Sequence, residues 1–431
     1  MNPTRSTLAS LLALATTAAF AMPVVITDGK AADQTKSAAG TASGPYGAGL
    51  QALIKGDLKV AEGAFAQALK AEPKSSAAML GMAEIAIKTG KNVEALAWME
   101  RAVQAQPNDG NAHESLGRML LWTGKTKEGE GSLRRAIEID ARSVRARMTL
   151  ADYFMLQGRP ADAMPLYEQA LAVDGKQAST RYALGLALLR QGNTARATSE
   201  LEVAAQLEPK NPLPHLALAR VHAARRAYAP AMVSVDEALK LQPTFQEALI
   251  LKGDVADLAG KPEQAIETFK TAAAAAPKAS VPHLKMAMLW HRTGQDDQAV
   301  AAYRQALERD SKLAIAHNNL ADLLSRRPAT LAQAEASAAR AVQLAPEVAD
   351  FHDTLGGIRR AQGNKAGALA SLQTAARLAP SSGQIVMHLA KLQAESGDKA
   401  QARSTLQAGL LTIQDATEQQ AVRKLLAELG T

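Results

Sequence analysis

The 431-residue sequence contains no cysteine, and aromatic residues make up only 3% of it. Without cysteine the chain can form no disulfide, no zinc–thiolate site, no thiol nucleophile and no cysteine-linked lipid anchor. The shortage of aromatic residues, together with abundant alanine and 47% hydrophobic residues, favours closely stacked helices over sandwiches or barrels. We therefore predict an all-α protein, and its length indicates several domains or one extended array.

Long apolar runs are also missing, except at the start of the chain. Arg5 precedes an apolar segment from Leu8 to Phe20, and Ala19-Phe20-Ala21 has the small-x-small form of a cleavage site. These features predict a signal peptide at residues 1–21 and a periplasmic or secreted protein. The alternative is an uncleaved anchor, because the uncharged stretch is long enough to cross a bilayer.

The sequence has no obvious cluster of positive or negative residues. Lys and Arg number 49 against 42 Asp and Glu, a formal net charge of +7. A nucleic-acid binder usually gathers positive charge on one face and interleaves it with aromatic residues, so we expect no nucleic-acid partner. Residues 22–41 are predicted to be a flexible linker, since the stretch from residue 30 onward has almost no bulky apolar side chain.

Small residues recur at a fixed spacing through the rest of the chain. One series has members 34 residues apart, and a second series follows it by seven residues, which is two helical turns. The first series is Ala61, Ala95, Gly129, Ala163, Ala197, Ala231, Ala265 and Ala299, and the second is Ala68, Ala102, Ala136, Ala170, Ala204, Ala238, Ala272 and Ala306. Both series therefore lie on one face of the same helix in every repeat, where small residues let helix axes approach closely.

Glycine and proline mark the turns of this repeat. Gly56, Gly90 and their equivalents precede the first alanine series by five residues, where a turn between two helices requires a left-handed residue. Pro73 and its equivalents end the second helix. After Ala299 the spacing lengthens once, by one residue, within the segment 325–328, so we expect an irregular turn and a local change of pitch there.

These units resemble tetratricopeptide repeats. The resemblance rests on the 34-residue length, on Leu-Gly pairs such as Leu116-Gly117 and Leu184-Gly185, and on a recurring aromatic position, for example Phe65. It implies a right-handed superhelical solenoid of about eleven helix-turn-helix units over residues 42–415. Residues 416–431 are predicted to form a capping helix, because Asp415 and Glu418 make a capping box ahead of an apolar stripe.

The resemblance also implies a binding groove lined by the first helices of the repeats. Carried over by position, the groove contains Lys88, Trp122, Tyr182, Leu186, Arg190, Leu216, Arg220, Ile250, Asp254, Leu284, Met288, Arg292, Asn318, Asp322 and Arg326. Its expected partners are protein or peptide segments, acidic ones included, or an anionic glycan. Basic residues late in the first helices either satisfy the helix dipole or form a cationic ridge for such a partner.

No catalytic or cofactor motif stands apart from the repeats. The sequence lacks a phosphate-binding glycine loop, HExxH, GxSxG or a paired-carboxylate cluster, so we expect neither enzymatic activity nor a cofactor. The fourth residue of five repeats is a histidine, at positions such as His113 and His317. Equivalent positions lie at least about 8 to 10 Å apart, too far for one metal ion, and we interpret these histidines as packing residues.

The chain thus resembles an exported binding scaffold. Phrases such as His317-Asn318-Asn319-Leu320-Ala321 and Asp353-Thr354-Leu355-Gly356 are similar to repeat proteins of exopolysaccharide export and exosortase systems. The resemblance implies an envelope assembly scaffold for exopolysaccharide export. The alternatives are a scaffold for pilus or secretion-apparatus assembly, an adaptor of cell-wall enzymes, and a polysaccharide- or solute-binding protein.

Overall fold

A computed structural model describes residues 44–430, so the predicted signal peptide and linker lie outside the described residues. The described chain contains 23 α-helices and one short 3-10 helix and no strand, which confirms the all-α prediction. None of these helices combines the length and the apolar character that a bilayer crossing requires.

The described residues divide into two compact units, which meet in sequence between Pro243 and Thr244. Unit 1 contains six helical hairpins. Its helices are α1 Gly44–Lys55, α2 Leu58–Ala71, α3 Ser76–Lys88, α4 Asn92–Ala105, α5 Gly110–Trp122, α6 Thr126–Ile139, α7 Val144–Leu156, α8 Pro160–Val173, α9 Ala178–Arg190, α10 Thr194–Leu207, α11 Pro212–Ala224 and α12 Tyr228–Leu241.

Unit 2 contains five hairpins and a final single helix. Its helices are α13 Gln246–Leu258, α14 Pro262–Ala275, α15 Val281–Arg292, α16 Asp296–Arg309, α17 Ala314–Ser325, α18 Leu331–Leu344, α19 Ala349–Ala361, α20 Lys365–Leu378, α21 Gly383–Glu395, α22 Lys399–Leu410 and α23 Ala416–Glu428. In both units the odd-numbered helices up to α21 are the first helices of the hairpins. Within a unit, each second helix packs against the first helix of its own repeat and against the first helix of the next repeat.

The two series of small residues lie where helices approach one another. Ala163, Ala197 and Ala231 are each 0% exposed. In the third repeat the two backbones come very close, because a Cβ added to Gly129 would lie 2.9 Å from the carbonyl oxygen of Gly117. Glycine at position 129 is therefore required by the α5 and α6 contact, and a larger residue there would push the two helices apart.

The turn glycines adopt the left-handed conformation that the sequence predicts. Gly90, Gly124 and Gly192, for example, have φ values of 75°, 82° and 77°. In the sixth repeat this position is occupied by Arg226, which has φ 59° and is the one non-glycine residue with positive φ among residues 44–430. A side chain with a Cβ is strained in this region, so Arg226 departs from what stability alone favours.

The inserted residue of the ninth repeat produces the irregular turn that the sequence predicts. A 3-10 helix, Pro328–Thr330, precedes α18, and Thr330 Oγ1 donates to the carbonyl oxygen of Arg327 at 3.0 Å. Next to this turn lies a cavity of 270 Å³, and its lining includes Val300, Leu324 and Arg327. The extra residue is thus absorbed locally.

The last helix, α23, covers the end of unit 2. The Asp415 carboxylate accepts a hydrogen bond from the backbone N–H of Glu418 at 2.9 Å, as an N-cap does. Val422 is fully buried and packs with Val386 and Leu406. Glu418 does not complete the predicted capping box, because its carboxylate instead accepts from the backbone N–H of Gly383 at 2.7 Å and so fastens α23 to α21.

Candidate functional site

The first helices form the layer on which the predicted groove residues lie. Successive first helices contact one another from α1 to α11 in unit 1 and from α17 to α21 in unit 2. Side chains at positions three, four and seven residues apart on such helices share one face.

In unit 1 the predicted apolar residues are mostly half-buried. Tyr182 and Leu186 on α9 pack against a cluster that contains Leu201 and Val221. Trp122 on α5 packs in the same way against the Met99 cluster. Burial raises the pKa of Tyr182, with Arg220 opposing this shift. These side chains therefore present one edge to solvent.

In each unit, one of the predicted groove residues is almost completely buried. Leu216 is 3% exposed and Ile250 is 7% exposed. Position in the repeat assigns a residue to the correct helix, but it does not reveal how closely the next helix approaches. These two residues therefore contribute little exposed surface to the predicted groove.

In unit 2 an exposed group of apolar side chains crosses two adjacent first helices. Met288 is 44% exposed on α15, and Val281 on the same helix is also 44% exposed. Leu284 lies between them in sequence and is half-buried, and Ile315 on α17 is 42% exposed. We call Val281, Leu284, Met288 and Ile315 the apolar stripe.

Only two of the four residues of the apolar stripe were predicted from the sequence. The repeat pattern predicted Leu284 and Met288 but missed Val281 and Ile315, which lie two residues before the repeated histidines His283 and His317, at the second position of their repeats. A signal was present, because Val281 and Ile315 are 34 residues apart and Val281 precedes Leu284 by three residues on one helical face.

A polar group with an unused acceptor lies beside the apolar stripe. Asn318 follows Ile315 by one helical turn, and its Nδ2 lies 3.3 Å from Asn319 Oδ1. The Oδ1 of Asn318 is buried and has no hydrogen-bond partner among the described residues. A buried acceptor without a donor is costly, so a donor from a bound segment would stabilise this site.

The charged groove residues of unit 2 are paired with carboxylates. Lys285 Nζ lies 2.9 Å from Asp254, and burial raises the pKa of this aspartate while Lys285 lowers it. Arg292 pairs with Asp257.

Arg326 makes the most contacts of the predicted groove cations. Its guanidinium lies 2.8 Å from the Asp296 carboxylate and 3.0 Å from that of Asp322. It also lies 3.0 Å from Nε2 of His291. Hydrogen bonds from His291 and Arg326 hold the pKa of Asp322 below its usual value.

In several of these pairs the two partners lie 35 residues apart in sequence, on successive first helices. Asp257 pairs with Arg292 in this way, and Asp353 pairs with His388, whose Nδ1 lies 2.9 Å from Asp353 Oδ1. Arg360 Nε donates to Glu395 at 2.8 Å across the same interval. In unit 2 the basic residues late in the first helices therefore tie neighbouring repeats together and leave little unbalanced positive charge.

The predicted cations of unit 1 are also engaged. Lys88 lies 3.5 Å from Glu84, which is 1% exposed. Arg190 donates to the backbone carbonyl of Met155, again 35 residues away.

The repeated histidines have a structural explanation. Nε2 of His113 lies 3.0 Å from the Pro107 carbonyl oxygen, six residues earlier, and His352 makes the equivalent contact at 2.9 Å. In the fourth repeat Arg147 replaces the histidine and donates to the carbonyl of Ala141 at 2.9 Å. These side chains secure the turn that enters each repeat, and no group of three potential metal ligands occurs among the described residues.

Comparison with known proteins gives one consistent family. A sequence model of the tetratricopeptide repeat matches residues 52–119, 154–221 and 359–429, and two others match residues 114–179 and 283–312. No protein of curated function matches the sequence.

Solved structures of several repeat proteins are similar at low identity. Yeast Tom70 is 17% identical, with 93% of this chain and 91% of that chain covered and a TM-score of 0.45. A tetratricopeptide repeat protein from Parabacteroides merdae is 14% identical, with 57% and 97% covered and a TM-score of 0.47. Cut9 with Hcn1 from the APC/C is 12% identical, with 89% and 95% covered and a TM-score of 0.43. Identities this low carry no inference about function.

Proposed function

Because the chain belongs to the tetratricopeptide repeat family, we propose that it is a non-catalytic scaffold that holds a protein partner on the first-helix face of unit 2. The observation that carries this proposal is the apolar stripe beside Asn318. Four apolar side chains, three of them at least 42% exposed, lie next to an amide oxygen that lacks a donor. Apolar side chains and a backbone N–H of a polypeptide complement these two features.

The partner segment binds mainly through apolar contact. Lys285, Arg292 and Arg326 are already paired with carboxylates of neighbouring repeats. An acidic peptide or an anionic glycan would have to displace these carboxylates, which opposes binding. An apolar segment can be accommodated without breaking any ion pair.

The process that we propose is assembly of an envelope exopolysaccharide export system in the periplasm. Support comes from the predicted signal peptide and from the resemblance of the segments around His317 and Asp353 to repeat proteins of such systems. Assembly of pili or of a secretion apparatus, adaptation of cell-wall enzymes, and binding of a polysaccharide or solute are the competing roles.

A photocrosslinking experiment tests the scaffold and its site together. A photoreactive residue at Met288 should crosslink a protein in the periplasm, and Val281→Asp should abolish this product by placing a charge in the apolar stripe. Val233→Asp is the matched control, because Val233 is 63% exposed on the second helix α12.

The identity of the crosslinked protein separates the competing roles. Export or synthase components support the exopolysaccharide role, whereas pilins or cell-wall hydrolases assign the scaffold to the other processes. Equal crosslinking in both aspartate variants would contradict the proposed site.

A further inference from the structure

The turns inside the six hairpins of unit 1 all lie at one end of the stacked helices, because successive hairpins pack in parallel. We call this end the turn edge, and it comprises residues 54–61, 88–95, 122–129, 156–163, 190–197 and 224–231. The turn edge contains eleven Lys or Arg against four Asp or Glu. The opposite end, whose five turns connect successive hairpins, contains six of each over residues 70–77, 104–111, 138–145, 172–179 and 206–213.

Most of the positive charge on the turn edge is unpaired. Lys125, Lys127 and Arg226 are exposed and form no ion pair with any residue of the described chain, and the same holds for Lys55, Lys59 and Arg225. This arrangement differs from the groove, where the cations are paired. The turn edge of unit 1 therefore combines an excess of Lys and Arg over Asp and Glu with several cations that are available to a partner.

Stability of the fold does not explain the cations that precede second helices. Lys125 occupies the N-cap of α6 and makes no capping hydrogen bond, although its φ of −81° and ψ of 68° nearly equal those of Asn193, which caps α10. Lys91 and Arg159 are likewise the N-cap residues of α4 and α8 and make no capping hydrogen bond. A cation at a helix N-terminus opposes the helix dipole, and a residue that accepts a hydrogen bond is favoured there.

Aliphatic side chains are exposed among the cations. Val93 is 86% exposed and Val60 is 62% exposed, and Ile54 and Leu156 are 44% and 46% exposed. Trp122 lies at the same edge and is half-buried. Exposed aliphatic groups and a tryptophan interleaved with lysines are typical of surfaces that bind the interface of an anionic bilayer.

We propose that the turn edge of unit 1 binds peripherally to the surface of an anionic lipid bilayer. The cations face the lipid phosphates, and the exposed valines, Ile54 and Leu156 enter the boundary between headgroups and acyl chains. An anionic glycan complements the positive charge equally well, but it has no apolar region in which the exposed aliphatic side chains could be buried. The aliphatic residues therefore favour the bilayer.

Flotation with vesicles tests the proposal on the mature protein. The wild type should float with vesicles of phosphatidylcholine and phosphatidylglycerol but not with phosphatidylcholine alone, and added salt should weaken its binding. The triple variant Lys125→Asn, Lys127→Gln, Arg226→Gly should bind at least about tenfold more weakly, since each cation near an anionic surface contributes to affinity. Its thermal midpoint should nevertheless rise, because Asn caps α6 and Gly fits the left-handed turn.

A matched control removes the same charge from the opposite end of unit 1. Lys74, Lys176 and Lys210 are exposed and lack ion pairs with described residues, so Lys74→Gln, Lys176→Gln and Lys210→Gln together should leave vesicle binding nearly unchanged. Equal weakening by both triple variants would overturn the proposal. Val281→Asp should float as the wild type does, which separates this test from that of the protein-binding site.

A second variant distinguishes the bilayer from a glycan. Val60→Asp with Val93→Asp should also weaken flotation, because it places charge where aliphatic groups meet the bilayer. Binding of the wild type to soluble alginate but not to vesicles, unaffected by the valine changes, would assign the turn edge to a glycan and contradict the proposal.

Discussion

Nε2 of His317 lies 3.2 Å from the carbonyl oxygen of Ser311, so this histidine holds the turn before α17 through a single hydrogen bond. Its Nδ1 is buried and has no partner among the described residues. Burial lowers the pKa of His317, and the nearby Arg340 lowers it further while the bond to Ser311 raises it. The neutral form with a proton on Nε2 is the one that fits this site.

Acidification should therefore weaken the fold. Below the usual histidine pKa of about 6.5, the unfolded chain binds a proton that the folded His317 resists, so the free energy of unfolding falls as the pH drops from 7 towards 5. Burial also lowers the pKa of His283, so it contributes in the same direction. Denaturant melts at several pH values measure this slope.

Two other repeats have an arginine in place of this histidine, and they provide the control for the pH dependence. Arg147 and Arg181 occupy the equivalent position and donate to the equivalent carbonyl oxygen. His317→Arg should keep the hydrogen bond and flatten the pH dependence between 7 and 5. An unchanged slope would mean that other groups dominate acid destabilisation.

Removing the backbone strain at Arg226 in the sixth repeat should stabilise unit 1. Arg226 has φ 59°, so Arg226→Gly should raise the free energy of unfolding by about 1 kcal/mol. Arg225, with φ −82°, has no such strain, and Arg225→Gly should not stabilise. Chemical denaturation measures the free energy of unfolding of both variants. An equal increase in both would mean that removal of the positive charge, and not relief of backbone strain, stabilises the protein.

The proline inside α8 offers a second route to stabilisation. Pro165 is exposed within the helix Pro160–Val173 and has no N–H to donate to Ala161. Pro165→Ala should raise the free energy of unfolding by about 1 to 3 kcal/mol, since it restores a helical hydrogen bond. Pro160→Ala, at the first helical residue where proline is well tolerated, should change it little.

Enlarging a closest-approach residue should destabilise the chain locally. Ala204 on α10 is 0% exposed, so Ala204→Leu should cost about 1 to 3 kcal/mol. Ala195 lies exposed on the same helix, and Ala195→Leu should cost little. Hydrogen exchange should show faster opening around α9 to α12 while α21 to α23 stay protected, because repeats couple mainly to their neighbours. Uniform loosening along the chain would contradict this.

The sequence by itself determined the repeat, its helices and most of its turns. The reason is that a 34-residue period of small residues, with glycine at a left-handed turn, repeats the same local constraint many times. Ala163, Ala197 and Ala231 could thus be placed in the core, and Gly90 and Gly192 in left-handed turns, without any knowledge of neighbouring repeats.

Only the tertiary structure decided what the side chains on the first helices do. Asp257 and Arg292 are 35 residues apart on different helices, so their pairing depends on how one repeat packs on the next. The same packing buries Leu216 and exposes Val281, although both occupy first helices. Periodicity identifies the helix and the face, but the distance between adjacent helices determines which residues are paired, which are covered and which remain available to a partner.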